Sequence, residues 1–223
     1  MGNMNCPIIL DVKPDDAGWA EVKMHIGKDD YVFTVSYIGE DIHDLIEKVY
    51  YLYPDWGHDD HNNKVMEYYD DVEIESTIDG VTAKRTWTEV PWRTELLWDG
   101  EGSYMKLKME RPATIDDDFD VTITLEVYQQ EESFHTYTVR YKDLCYAVAK
   151  GVTDLLIRYG IVGYYESTWM EDINIRHFLQ IKGLALDKEI ELVPDSQNEK
   201  SIFNTRLGQE LDLLIRPMIQ ERI

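Results

Sequence analysis

Cysteine is scarce: Cys6 and Cys145 are the two in 223 residues. Two cysteines cannot make a disulfide framework, no CxxC pair occurs, and a reducing cytoplasm is the simplest setting. Cys145 falls inside a predicted helix and reads as a small core residue. Long apolar runs are lacking as well. Nothing approaches the roughly 18 residues that cross a bilayer, so no membrane partner is expected. The opening MGNMNCPIIL has neither the charged region nor the long apolar region of a secretory leader. Gly2 is not followed by the Ser or Thr that myristoylation favours, since Cys6 stands there. The phosphate-cradling patterns GxxxxGK[ST] and GxGxxG are absent, and so is GxSxG. No cofactor is expected, and an enzyme is the weaker reading.

Positive charge is the other scarcity. Lys and Arg number 22 against 44 Asp and Glu, a formal net charge of -22. Residues 1–132 hold 31 acids and 11 bases, and residues 133–223 hold 13 and 11, so almost all the excess lies in the first stretch. Phosphate contact needs clustered Lys and Arg, so direct nucleic-acid binding is disfavoured. A carboxylate-rich surface attracts basic proteins instead, and it can imitate a phosphate backbone or block a cationic groove. A solubility coat is the bland alternative. A chain that is 43% hydrophobic and 12% aromatic is too apolar for disorder.

What is present patterns as α+β: a mainly antiparallel, meandering sheet with helices packed on one face. Residues 7–12 form a short strand. Residues 19–26 alternate, with Ala20, Val22, Met24 and Ile26 on one face. Residues 31–37 answer with Tyr31, Phe33, Val35 and Tyr37, completing a hairpin. Ile42, Leu45, Ile46, Val49, Leu52 and Tyr53 then recur at helical spacing over 41–53, and Pro54 stops the run. Strands are expected within 64–98, where Asp79-Gly80 marks a hairpin and Pro91 an edge or break. Two more hairpins join 95–98 to 104–110 and 120–128 to 134–141. A helix over 142–159 buries Leu144, Val148, Val152, Leu155, Leu156 and Tyr159, and Gly160 stops it. A short helix is expected over 173–186, a loop over 187–200 with a small strand at 189–193, and an amphipathic helix over 201–219. The last puts Phe203, Leu207, Leu211, Leu214, Ile215 and Met218 on one side, with Pro217 in its final turns. FTVSY at 33–37 and YTVRY at 137–141 each close a hairpin before a helix, which points to duplicated ββα units or to common strand vocabulary. The chain divides as 1–92, an acidic ββα unit plus strands, and 93–223, a β-meander followed by helices. One continuous domain is the alternative.

Chemistry-bearing residues concentrate in a few places. His58, Asp60 and His61, with His43 on the preceding helix, have the donor types of a transition-metal site. They lie on one polar loop without rigid support, so no bound metal is expected. Asp116, Asp117 and Asp118 carry calcium-type oxygens without the spacing of a calcium loop. Asp70, Asp71, Glu73 and Glu75 line a strand, with Trp56, Tyr68, Tyr69 and Trp87 as neighbouring aromatic anchors. His135 and His177 read as packed or surface histidines.

From about 92 to 180 the chain resembles a loosely defined set of small acidic, uncharacterised bacterial proteins. The resemblance rests on Trp98, Gly100 and Glu101, on a strand from Tyr104 to Arg111, and on Gly163-Tyr164, Glu166, Trp169 and Phe178. Some proteins of that set are taken to be immunity proteins for secreted toxins, which implies a binding protein rather than an enzyme. The leading expectation is therefore an acidic cytoplasmic protein-binding module, an immunity or inhibitor protein for a basic partner. Asp70, Asp71, Glu73, Glu75, Asp116, Asp117, Asp118, Trp56 and Tyr68 are its expected contacts. A metal-dependent hydrolase using His58, Asp60 and His61 and a structural homo-oligomer subunit are the competing readings.

Overall fold

The computed structural model describes residues 8–15, 19–36, 38–53, 76–78, 81–83, 93–112, 118–129, 131–167, 172–188, 190, 193–194 and 203–218. Among the described residues, antiparallel sheets of three and four strands, two two-stranded pairs and four helices make an α+β architecture. The first sheet is a meander of β1 (Ile8–Pro14), β2 (Ala20–Ile26) and β3 (Asp29–Val35). Leu10, Val12, Ala20, Val22, Met24, Ile26, Phe33 and Val35 are buried, so the period-two pattern does mark the core face. Helix α1 (Ile38–Tyr50) follows and buries Ile42, Leu45, Ile46 and Val49. Short strands β4 (Ser76–Ile78) and β5 (Val81–Ala83) pair with Ile78 opposite Val81, the pairing that Asp79-Gly80 predicts.

The larger sheet runs β6 (Arg93–Asp99), β7 (Tyr104–Glu110), β8 (Asp120–Tyr128), β9 (Glu132–Arg140), in that order. Helix α2 (Tyr141–Ser167) leaves β9 directly and is broken at Gly160, which has φ 70° and ψ 170°. That backbone region is essentially restricted to glycine, so Gly160→Ala is expected to cost about 1–3 kcal/mol, read from urea unfolding. Helix α3 (Ile175–Ala185) is capped by Asn174, whose side-chain oxygen accepts from the His177 amide.

The internal echo extends beyond ββα. Strands β1, β2, β3 and helix α1 have counterparts in β7, β8, β9 and α2. Val22 pairs with both Val12 and Phe33, as Ile123 pairs with both Met109 and Tyr137. Met24 sits between Leu10 and Tyr31, as Leu125 sits between Leu107 and His135. In the helices, Ile42, Leu45, Ile46 and Val49, with Leu52 in the turn after α1, correspond to Cys145, Val148, Ala149, Val152 and Leu155, all buried. Tyr31 and His135 hold equivalent places and touch edge to face, with centroids 5.4 Å apart. Each helix packs on the other unit's sheet, α1 on β6 and α2 on β1. Among the described residues the second unit carries an extra strand, β6, for which the first shows no counterpart.

The C-terminal expectation needs correction. Phe203 and Asn204 form β11 (Phe203–Asn204), which pairs with β10 (Val193–Pro194); of the small strand expected at 189–193, Val193 is paired, and 189, 191 and 192 lie outside the described residues. This pairing takes Phe203 out of the helix, and α4 spans only Leu207–Ile215. Its buried residue is Leu213; of the predicted stripe, Leu207, Leu211 and Ile215 are exposed, while Leu214 packs half-buried on the core and Met218, just past the helix, is buried. Among the described residues no helix is long and apolar enough to cross a membrane.

Candidate functional site

The outer face of the larger sheet carries three exposed large apolar side chains, Leu97, Tyr128 and Phe134, beside acidic groups. Pairing lays its side chains in rows across β6 to β9. The row nearest the β6–β7 turn is Asp99, Tyr104, Tyr128 and Glu132. The next is Leu97, Lys106, Glu126 and Phe134. Leu97 is 57% exposed, Phe134 60% and Tyr128 39%, on a face otherwise polar. Tyr128 stacks on Tyr104, with centroids 5.6 Å apart. The Tyr104 hydroxyl donates to Glu126 at 2.9 Å and faces Glu132 at 3.3 Å. That bond to Glu126 pushes the Tyr104 phenol up to about 12.

Asp99, Glu101, Glu126, Glu131 and Glu132 gather at this end. Lys106 is engaged 2.8 Å from Glu95, and Lys108 lies 3.7 Å from Glu126. Burial works to raise the Glu95 carboxyl, but Lys106 and Arg93 outweigh it and hold the group low. Lys106 stands in the second row and turns to Glu95 in the third, while Lys108 faces Glu126 in the second, so the acidity of this end rests chiefly on Asp99, Glu101, Glu131 and Glu132. The near rows keep an acidic rim around three apolar side chains, the composition of an anchor patch with a polar border.

Strand β3 braces this end. The Gln129 side-chain amide donates to the Val32 carbonyl at 3.2 Å, and the Ser36 backbone amide donates to the Asp99 carbonyl at 2.9 Å. A Cβ on Gly100 would stand 2.5 Å from the Thr34 carbonyl oxygen, so only glycine permits this approach. On the inner side Tyr137 donates to Asp29 at 2.8 Å and bonds the Tyr31 phenol. Burial and these bonds raise the Tyr137 phenol, and burial raises that of Tyr31. Both stay protonated, as hydrogen-bond struts between the two repeats rather than bases.

A second polar cluster joins α1 to α3. His43 Nδ1 donates to the Asp172 carbonyl at 3.0 Å, and its Nε2 lies 3.5 Å from Glu47. Asn174 donates to Glu47 at 3.0 Å. His177 is buried, stacks on Tyr50 with centroids 3.8 Å apart, and accepts at Nε2 from Arg176 at 2.7 Å. Among the described residues no group of three or more His, Cys, Asp or Glu could hold a metal ion. This cluster is a helix-to-helix brace, so His177 is a packed histidine. Burial pushes the Cys145 thiol up to about 12, which leaves it an inert core group.

Most residues singled out in the sequence lie outside the described residues: Trp56, His58, Asp60, His61, Tyr68, Tyr69, Asp70, Asp71, Glu73, Glu75, Trp87, Asp116 and Asp117. Asp118 is described. It is exposed, its carbonyl accepts from Arg140 at 3.1 Å, and its charge helps burial raise the Asp143 carboxyl. Leu97, Tyr128 and Phe134 were not singled out, although alternation held the signal. Each shares its strand phase with acids or threonines rather than with the core set. The chain matches no protein-family model, no curated protein and no solved structure.

Proposed function

We propose that this chain is an acidic cytoplasmic module that binds a basic protein, as an immunity or inhibitor protein does. The observation that carries the reading is the near end of the outer sheet face. There Leu97, Tyr128 and Phe134 stand exposed among Asp99, Glu101, Glu126, Glu131 and Glu132. Apolar anchors supply affinity, and surrounding charge of one sign steers encounter. The net charge of -22, concentrated in residues 1–132, supports the same sign of partner. The resemblance over 92–180 adds the immunity role, and the scarcity of cysteine supports the reducing compartment.

The test is capture of a partner from cells at low and high salt, its identification, and association kinetics with the purified pair. Glu101→Gln with Glu131→Gln is expected to slow association several-fold and leave dissociation nearly unchanged. Tyr128→Ala or Leu97→Ala is expected to speed dissociation instead. A second set, Asp70→Asn, Asp71→Asn, Glu73→Gln and Glu75→Gln, tests the stretch that the sequence favoured. Association indifferent to salt and to both acidic sets reduces the charge to a solubility coat.

A further inference from the structure

Strand β9 is an edge, and its free side follows from one hydrogen bond. The Tyr141 amide donates to the Phe119 carbonyl at 2.9 Å, in register with the β8–β9 ladder. In an antiparallel pair the direction of N–H and C=O alternates residue by residue. Ser133, His135, Tyr137 and Val139 therefore bond β8, while Glu132, Phe134, Thr136 and Thr138 turn theirs outward, and Arg140 turns its N–H outward while its carbonyl opens α2. The equivalent edge of β3 is covered, since Ser36 bonds Asp99 and Val32 bonds Gln129. Among the described residues no backbone bond covers the outward side of β9. It is nine residues long, has no Pro, Gly or Lys, and runs in unbroken register. Short length, Pro, Lys and bulges are devices that usually protect an edge, and β9 uses none of these.

We propose that β9 pairs antiparallel with β9 of a second copy of this chain, about a two-fold axis at Thr136, joining two four-stranded sheets into one. The argument is self-complementarity. Centring on Thr136 sets Phe134 opposite Thr138 and Glu132 opposite Arg140, and uses all five outward residues, Arg140 through its N–H alone. Centring on Phe134 or Thr138 leaves part of the edge unpaired and loses the Glu132–Arg140 match. Opposite charges directly across an antiparallel pair stabilise it, and like charges disfavour it. A two-fold interface must have this reciprocal form. The acidity of each copy opposes association, and physiological salt screens that repulsion beyond about 8 Å. The inference does not rest on the basic-partner reading.

The test is molar mass by light scattering and sedimentation across concentration, at physiological ionic strength. The wild-type chain of 26.2 kDa is expected to double its mass. Thr136→Pro removes an outward amide that β8 does not use, so circular dichroism should hold while the mass stays that of one chain. Glu132→Arg sets Arg opposite Arg and is expected to weaken the dimer at least tenfold. Adding Arg140→Glu restores it, which a loss of folding could not do. A wild-type chain that stays monomeric up to millimolar concentration overturns the proposal. A dimer indifferent to both Thr136→Pro and Glu132→Arg overturns it equally.

Discussion

Trp98→Ala is expected to destabilise the chain by about 3–5 kcal/mol, the largest loss from any single truncation considered. Trp98 is fully buried on β6, beside Leu96 on the same face and opposite buried Met105. Helix α1 packs on β6, a strand for which the first repeat shows no counterpart among the described residues. Removing the indole therefore empties the seat that the second unit offers the first unit's helix. A fall in the urea midpoint at constant slope reads the effect. Trp98→Phe keeps most of the buried area and is expected to cost well under half as much. Leu97→Ala, one residue away on the exposed face, should stay within about 0.5 kcal/mol. A loss below about 1 kcal/mol for Trp98→Ala would show that the seat collapses around the cavity or was never packed.

The same pair of residues shows what was legible from the sequence. Alternation put Leu96 and Trp98 in one phase and Leu97 in the other, so the inward face could be read directly. Strand pairs, the two long helices and the break at Gly160 follow from local rules of period, turn and φ. The third strand of the repeat was harder to see, because Val12 and Met109 share burial but not identity. Across the C-terminal segment the apolar period fitted a helix from 201. Pairing of Phe203 with Pro194 is a long-range contact that no local period encodes. The candidate site fared worse for a related reason. Runs such as Asp70-Asp71 announce themselves in sequence. A patch assembled from Leu97, Tyr128 and Phe134 on three strands becomes visible only once register is known.

Lys182 supplies the second large effect, and its direction is unusual. It lies on α3, fully buried, with its ammonium donating to the Leu214 carbonyl at 3.2 Å and standing 5.4 Å from the Phe178 ring centroid. A cation at the last carbonyls of α4 complements that helix end, yet burial, joined by the charge of Arg216, lowers its pKa from 10.5 to about 8. Below about pH 8 the lysine is charged in both states, and the whole desolvation cost weighs on the fold. Between about 8 and 10.5 the unfolded chain binds more protons than the folded one, so stability rises with pH. The full shift is worth about 3 kcal/mol.

Other groups act in the opposite sense. Cys145 and Tyr141 have raised values through burial, so each loses stability as pH climbs past its ordinary value. Subtracting the curve of Lys182→Met removes those shared terms, because methionine fills a similar volume without titrating. The wild-type minus variant difference should therefore favour the variant at pH 7 and shift toward wild type by about 2–3 kcal/mol on reaching pH 10. Urea unfolding at pH 7, 8, 9 and 10 gives the difference directly. A flat difference would mean that the ammonium keeps its ordinary proton affinity, with the Leu214 carbonyl and Asp154 offsetting its burial in full.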